Sequence, residues 1–427
     1  MDKQEFHTSV HALPVIDTHE HWSAERFCTG RPLDFFDLLI PYCIDNLLTA
    51  GMSILEWKTL MQKDLGFEPR WVLFTQYLDD VRDTTYFRVL EQTLRKRYGF
   101  TGYSHESVRE VDRLLTAENT EGLYDRVMKR EGIESALTFV SYENPLTQKE
   151  DRVHPIPTVS DICPRSIPDL ERLSQASGVP VSDFDSLLAA VVALFDSYKS
   201  QGIRAVKFGG AYRRKLDYRM TTRQDAEEVL VRLRSDPYMG DSRVIGAPHA
   251  ILPMQDVRPL DDFLTDRMMA LARERSLPVF IHVGIHAWNE NSVEATHGSH
   301  LEGLVRRHPG TTFILLHCGV PFIDEAVLLC KYFSNVHLNM TWTHIIDTAQ
   351  ARLCVRKFVE MLPANKIHGF GGDYVYPQQI NGHLAVAKEN IACGLWSLVE
   401  EDALDAERAV GIARKWLYEN PKRLLSL

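Results

Sequence analysis

The sequence predicts a parallel α/β barrel, (β/α)8 in form, with a helical insertion between strands one and two. Short apolar or β-branched runs recur eight times, helical stretches separate the later runs, and polar residues repeatedly close a run at the same end. The runs are Leu13 to His19, Ser135 to Val140, Pro157 to Ile162, Ala205 to Phe208, Pro278 to Val283, Thr312 to His317, Val336 to Met340 and Ile367 to Gly371. Helices are expected at Phe184 to Gln201, Asp261 to Ser276, His300 to His308 and Ile323 to Phe333. The competing architecture is an open doubly wound sheet.

The regular spacing fails once. Residues 24–130 carry long amphipathic stretches, Pro69 to Tyr98 and Ser104 to Thr116, and few strand-like runs. The expected organisation is therefore a barrel formed by 1–23 and 131–427, with 24–130 inserted. A loop leaving the carboxyl end of strand one must rise over the barrel mouth. The insertion is expected to cover the site there or to pack against a second subunit of a homo-oligomer. Trp22, Phe27 and Trp57 are its candidate entrance aromatics.

Composition excludes several classes. With 427 residues, 44% hydrophobic and 25% charged, the chain can bury a large core. A formal charge of −10 offers no basic excess for nucleic-acid phosphates. No apolar run approaches the ~20 residues of a membrane span, and the opening Met1-Asp2-Lys3-Gln4-Glu5 lacks the pattern of a secretory signal. Seven cysteines without Cys-x-x-Cys spacing read as reduced thiols, so a cytoplasmic protein is expected.

The chemistry concentrates at the run ends. Side chains two apart on a strand share a face, so His19 and His21 can share one metal ion, with Glu20 turned away. Lys207, His282, His317 and Asp373 close the fourth, fifth, sixth and eighth runs. Any one of them could be a satisfied buried residue. Gathering all six costs free energy unless a metal, or each other, satisfies them.

The segments Asp17-Thr18-His19-Glu20-His21, His317-Cys318-Gly319 and Gly372-Asp373-Tyr374, with a histidine after strand five, resemble the amidohydrolase superfamily. The similarity is greatest to the branch holding metal-dependent hydrolases, nonoxidative decarboxylases and hydratases. Gly202-Ile203-Arg204-Ala205-Val206-Lys207 and the ending Asn420-Pro421-Lys422-Arg423-Leu424 add to it. The placement of the insertion resembles that of uronate isomerases. The resemblance implies that His19, His21, His282 and Asp373 bind one divalent metal, with Asp373 and His317 carrying the proton chemistry. Zinc is the first expectation, and manganese or iron would accept the same ligands. A metal lowers the pKa of bound water from about 16 to about 7, and Asp373 could then take its proton. Lys207 is expected to remain an unmodified amine rather than a carboxylated bridge between two ions.

The expected reaction is hydrolysis of a small organic acid, a lactone, an amide or a related C–O or C–N bond. Nonoxidative decarboxylation or hydration, uronate-type isomerisation and an inactive binding protein are the alternatives. The loop Ala211-Tyr212-Arg213-Arg214-Lys215-Leu216-Asp217-Tyr218-Arg219 is expected to hold the substrate carboxylate, because guanidinium groups grip carboxylates in two-pronged fashion. Tyr212, His286 and Trp288 are further substrate-contact candidates, beside Lys207.

Overall fold

Eight parallel strands, hydrogen-bonded in sequence order, surround a filled interior in the computed structural model, which describes residues 1–148, 150–235 and 252–427. They are β1 (Val15–Glu20), β2 (Ile133–Ser141), β3 (Val153–Thr158), β4 (Val206–Phe208), β5 (Val279–Ile281), β6 (Phe313–Leu315), β7 (Val336–Asn339) and β8 (Ile367–His368). The ring closes where Thr18 N–H donates to Phe370 O (3.2 Å) and Asp373 N–H to His19 O (2.7 Å). The barrel architecture is thus the one the spacing predicts.

Alternation along each strand divides two cores. Phe280 and Ile314 point inward with Leu137, Phe139 and Ala205, while Val279, Ile281, Phe313 and Leu315 face the helical layer. The outer helices obey the 3.6 period. In Phe184–Ser200 the buried residues are Phe184, Leu187, Ala190, Val191, Leu194, Phe195 and Tyr198, and Asp183 caps the start by accepting from Ser186 N–H (2.8 Å).

One local expectation is corrected. The third strand is Val153–Thr158, and Val159–Ile162 is a 3-10 turn. Pro155 and Pro157 disguise this strand because each removes a ladder donor. The stretch from Pro69 to Tyr98 is two helices, Phe67–Val81 and Thr85–Tyr98.

The helices between β1 and β2 build their own core, in which Phe35 and Phe36 pack edge-on against Phe74, and buried Arg70 makes a two-pronged bond to Asp34 (2.8 and 3.2 Å). The last helix of the 24–130 segment, Leu123–Glu131, instead buries Leu123, Tyr124, Val127 and Met128 in the barrel's outer core. The segment therefore does not pack as one unit. The rest of the insertion meets the barrel at loops after the strand ends, where Tyr42 Oη donates to Asp373 O (2.7 Å) and the Asp45 carboxylate accepts from Trp288 N–H (3.1 Å), and at helix Ile380–Glu400, where Thr93 Oγ1 accepts from Gly382 N–H (3.0 Å).

Burial also makes the fold acid-sensitive. It lowers His344 to about 4 and His383 and His337 to about 3, so these rings are neutral when folded. An unfolded histidine titrates near 6.5, hence between that pH and about 4 the unfolded chain binds more protons. Stability should be level above pH ~6.5 and fall steadily below it. Denaturant midpoints measured from pH 7.5 to 4.5 check this, and a flat profile would show that the three rings accept protons in place.

Candidate metal centre and its cavity

Three donors converge on one point at the mouth of the barrel. His19 Nε2 lies 2.9 Å from Asp373 Oδ1 and 3.3 Å from His21 Nε2, and His21 Nε2 lies 3.1 Å from the same Asp373 oxygen. Bonds of about 2.0–2.2 Å to one ion put neighbouring ligand atoms roughly 2.8–3.6 Å apart, from right-angle to tetrahedral coordination, so the trio fits a divalent cation. Its chemistry, two imidazoles and a carboxylate, fits as well. Burial alone would raise the Asp373 carboxyl, but the contacts with His19 and His21 outweigh it and hold the group well below the usual range. Burial lowers His19, keeping its lone pair available.

The backbone that places these atoms is irregular. Ile16 joins the barrel interior and His19, three residues on, also faces inward against the Phe139 ring (centroids 4.0 Å apart). Strict alternation cannot put both inside. The pairing of β1 with β2 shifts between Asp17 and Glu20, which supplies the change of face. Asp373 has φ +63°, in the left-handed region, and a Cβ at the preceding Gly372 would overlap the Glu20 carboxylate. Beneath the donors, burial pushes Asp17 up to about 6 and, together with Asp17, raises Glu20 well above the ordinary range. Asp17 Oδ1 accepts from His19 N–H (3.1 Å) and Gly372 N–H (3.3 Å), tying strand one to the loop that carries Asp373.

His282 and His317 form a second pair beside the first. His317 Nε2 is 3.0 Å from His282 Nδ1, with His317 Nδ1 on Thr341 O (3.1 Å) and His282 Nε2 on Ile285 O (3.0 Å). Carbonyls can only accept, so both outer nitrogens donate, and a bond between the rings needs one added proton. Burial, which lowers His317 to about 4 and His282 well below its usual value, makes that proton easy to release. His282, expected as the fourth ligand, stands outside the three-donor cluster with both nitrogens engaged. Lys207 Nζ is 3.3 Å from His19 Nε2 and 4.3 Å from the centroid of Phe139, and burial brings it down to about 8.

A cavity of about 680 Å³ opens beside this array, walled by loops after β5, β6 and β7 and by the inserted helices. Tyr86, Trp288, Phe322, Trp342 and Ile345 give it an apolar face, and Asp45, Asn46, Thr49, Asn289 and Asn291 a polar one. His286 links it to the centre, stacked on His282 at 5.1 Å, and Trp342 meets His317 edge-on at 5.4 Å.

A family model described as amidohydrolase matches residues 205–427, the stretch that supplies Lys207, His282, His317 and Asp373. The chain belongs to the amidohydrolase family. The uronate isomerase of Thermotoga maritima shares the fold of this amidohydrolase at a TM-score of 0.77, with 13% identity over 99% of this chain and 97% of that one. The glucuronate isomerase of Caulobacter crescentus does so at 0.75, with 18% identity over 99% and 93%. Protein fluG of Emericella nidulans is 22% identical over 271 residues, 58% of this chain and 30% of that protein. The chain thus spans about a third of the length of that curated relative.

The arginine loop, expected to hold a substrate carboxylate, is paired instead with the protein's own carboxylates in this amidohydrolase. Arg213 donates to Ser160 O (3.0 Å) and pairs with Asp161. Arg214 lies 2.8 Å from both Asp261 and Asp262, and Arg219 is exposed. Carboxylates of the barrel wall already occupy the guanidinium groups assigned to a substrate. Tyr212 is in place, its ring 4.6 Å from His282 and 4.3 Å from His286, and its hydroxyl accepts from Ala287 N–H (3.3 Å). Trp288 lines the cavity against Trp57 (5.2 Å). Trp22 is core instead of entrance, packed on Tyr124 (5.3 Å), and Phe27 lies on the surface beneath the Arg26 guanidinium. Asp45, Tyr86 and Trp342 were not legible as site residues. Trp342 alone carried a hint, an aromatic just past the seventh run; the two others depend on how the insertion docks.

Proposed function

We propose that this amidohydrolase is a metal-dependent hydrolase that cleaves a C–N or C–O bond in a small organic acid with an apolar body. The observation that carries the reading is the His19–His21–Asp373 donor trio beside a cavity with one aromatic wall. A divalent ion held by these residues would supply Lewis-acid polarisation and acidify water at neutral pH. Asp373, kept ionised, accepts the proton of the attacking water. The His282–His317 pair, neutral at rest, has inner nitrogens 3.0 Å apart that can share a proton taken up during the reaction and pass it to a leaving group. Lys207 has no carboxylate within ion-pair distance among the described residues, so it, rather than Arg213 or Arg214, is the cation for the substrate's carboxylate. The aromatic wall made by Tyr86, Trp288 and Trp342 then receives the apolar body.

Sugar-acid isomerisation is the second reading, favoured by the coverage of the two isomerase structures, which extends through the inserted helices. The deciding experiment loads purified protein with zinc or manganese, measures bound metal, and assays lactones, N-acyl compounds and uronates together. Acid release from an aromatic amide or lactone, with about one equivalent of metal lost on Asp373→Asn substitution, is the expected result. Conversion of a uronate to its keto isomer without acid release would overturn hydrolysis, and loss of two equivalents on Asp373→Asn substitution would overturn the single ion with unmodified Lys207.

A further inference from the structure

Away from the barrel mouth, two helices present a second set of metal-ligating side chains to each other. Lys3–His11 packs against Ile380–Glu400, the helix that follows β8, with Phe6 5.2 Å from Trp396. Their relative position is pinned by Lys388 Nζ, which donates to His11 O (2.9 Å) and Leu13 O (2.8 Å). Positions four apart on a helix share a face. His7 and His11 are such a pair on one helix, and Glu389 and Cys393 are the matching pair on the other.

The two pairs meet. Glu389 Oε2 is 3.2 Å from His7 Nδ1 and 3.2 Å from His11 Nε2, and Glu389 Oε1 is 3.2 Å from Cys393 Sγ. Donor atoms of His7, Glu389 and Cys393 all lie within 4.8 Å of one another. The other ring nitrogen of His7 is buried and has no hydrogen-bond partner, so no rival group fixes the ring.

We propose that His7, His11, Glu389 and Cys393 form a structural zinc site that clasps the N-terminal helix to the helix after the last strand. Two imidazoles, a thiolate and a carboxylate are a tetrahedral zinc set, and the thiolate and nitrogen donors disfavour magnesium or calcium. Zinc bonds of about 2.0–2.3 Å place neighbouring ligands roughly 3.3–3.7 Å apart, close to the 3.2 Å separations of Glu389 from His7, His11 and Cys393. In the absence of metal, burial and Glu389 push the Cys393 thiol up to about 11, so it is a protonated donor to the carboxylate. Zinc takes the place of that proton: the S–H bond breaks, a Zn–S bond forms, the proton passes to solvent, and no electron is transferred. The 2+ charge of the ion is balanced by one thiolate and one carboxylate.

Cobalt(II), which occupies zinc sites, separates this site from the one at the barrel mouth. Only the helix-pair set contains sulfur, so the near-ultraviolet sulfur-to-cobalt charge-transfer absorption reports it alone. Full-length protein, freed of metal and kept reduced with a thiol-free reductant, is titrated with cobalt. The band should appear, saturate at one equivalent in Asp373→Asn, disappear in the near-isosteric Cys393→Ser, and need at least tenfold more cobalt in His7→Gln. Zinc should raise the melting midpoint of Asp373→Asn, and that rise should be lost when Cys393→Ser is added. Turnover of Cys393→Ser alone should equal that of the unaltered protein. Absence of the band in the unaltered protein, or full strength in Cys393→Ser, would overturn the proposal without touching the reading of the barrel mouth.

Discussion

Asparagine at Asp373, or alanine at His19, should empty the barrel-mouth metal centre and remove its activity. Each change deletes one of three donors that lie 2.9–3.3 Å apart, and for Asp373 it also removes the negative charge that holds two imidazoles around one point. Substitutions behind a metal's direct ligands commonly cost 10–100-fold in affinity or activity, so losing a ligand should exceed about 100-fold in both. His317→Ala is expected to behave differently. His317 touches His282 and Thr341 O, outside the trio, so metal content should stay at that of the unaltered protein while kcat falls by about 10²–10⁴, the usual worth of a positioned proton donor or acceptor. Metal analysis alongside kcat separates the outcomes. Loss of as much metal from His317→Ala as from Asp373→Asn would show that this histidine is a ligand and that the division of roles is wrong.

Methionine at Arg214 should cost stability and leave substrate affinity unchanged. The guanidinium, 7% exposed, bridges Asp261 and Asp262, whose side chains are 6% and 4% exposed, and stacks over Tyr218 at 4.6 Å. Burial already raises both carboxyls despite the arginine. Removing the cation leaves two buried acids without their partner, a change that typically costs about 3–5 kcal/mol. Urea unfolding should show that loss, with KM for any acid substrate altered less than twofold. Adding Asp261→Asn and Asp262→Asn to Arg214→Met should return part of it, because the penalty belongs to the unpaired charges. A tenfold rise in KM at unchanged stability would instead make Arg214 the anion anchor.

Much of the fold, and part of the site, was legible before any coordinates. A strand buried on both faces must be a short apolar run, and a polar residue closing such a run stands out because burying it carries a cost that some partner must offset. That logic is local, which is why His19, His21, Lys207, His282, His317 and Asp373 could be singled out as residues that the fold gathers at one end, and why the barrel followed from the eight recurring runs. Strand three was misplaced for an equally local reason, two prolines inside a β ladder. What the tertiary structure alone decided depends on partners far apart in sequence. Arg213 and Arg214 looked free to bind an anion, yet Asp161, Asp261 and Asp262, remote in the chain, claim them across the barrel wall. His282 has the right type and place for a ligand, but the hydrogen bonds to Ile285 O and His317 set where its nitrogens point. Asp45 and Tyr86 enter the cavity only because the inserted helices dock on the loops after β5 and β7. Side-chain period and burial cost are written residue by residue along a chain, whereas the pairing of charges and the direction of a lone pair are settled only when distant segments compete for the same groups.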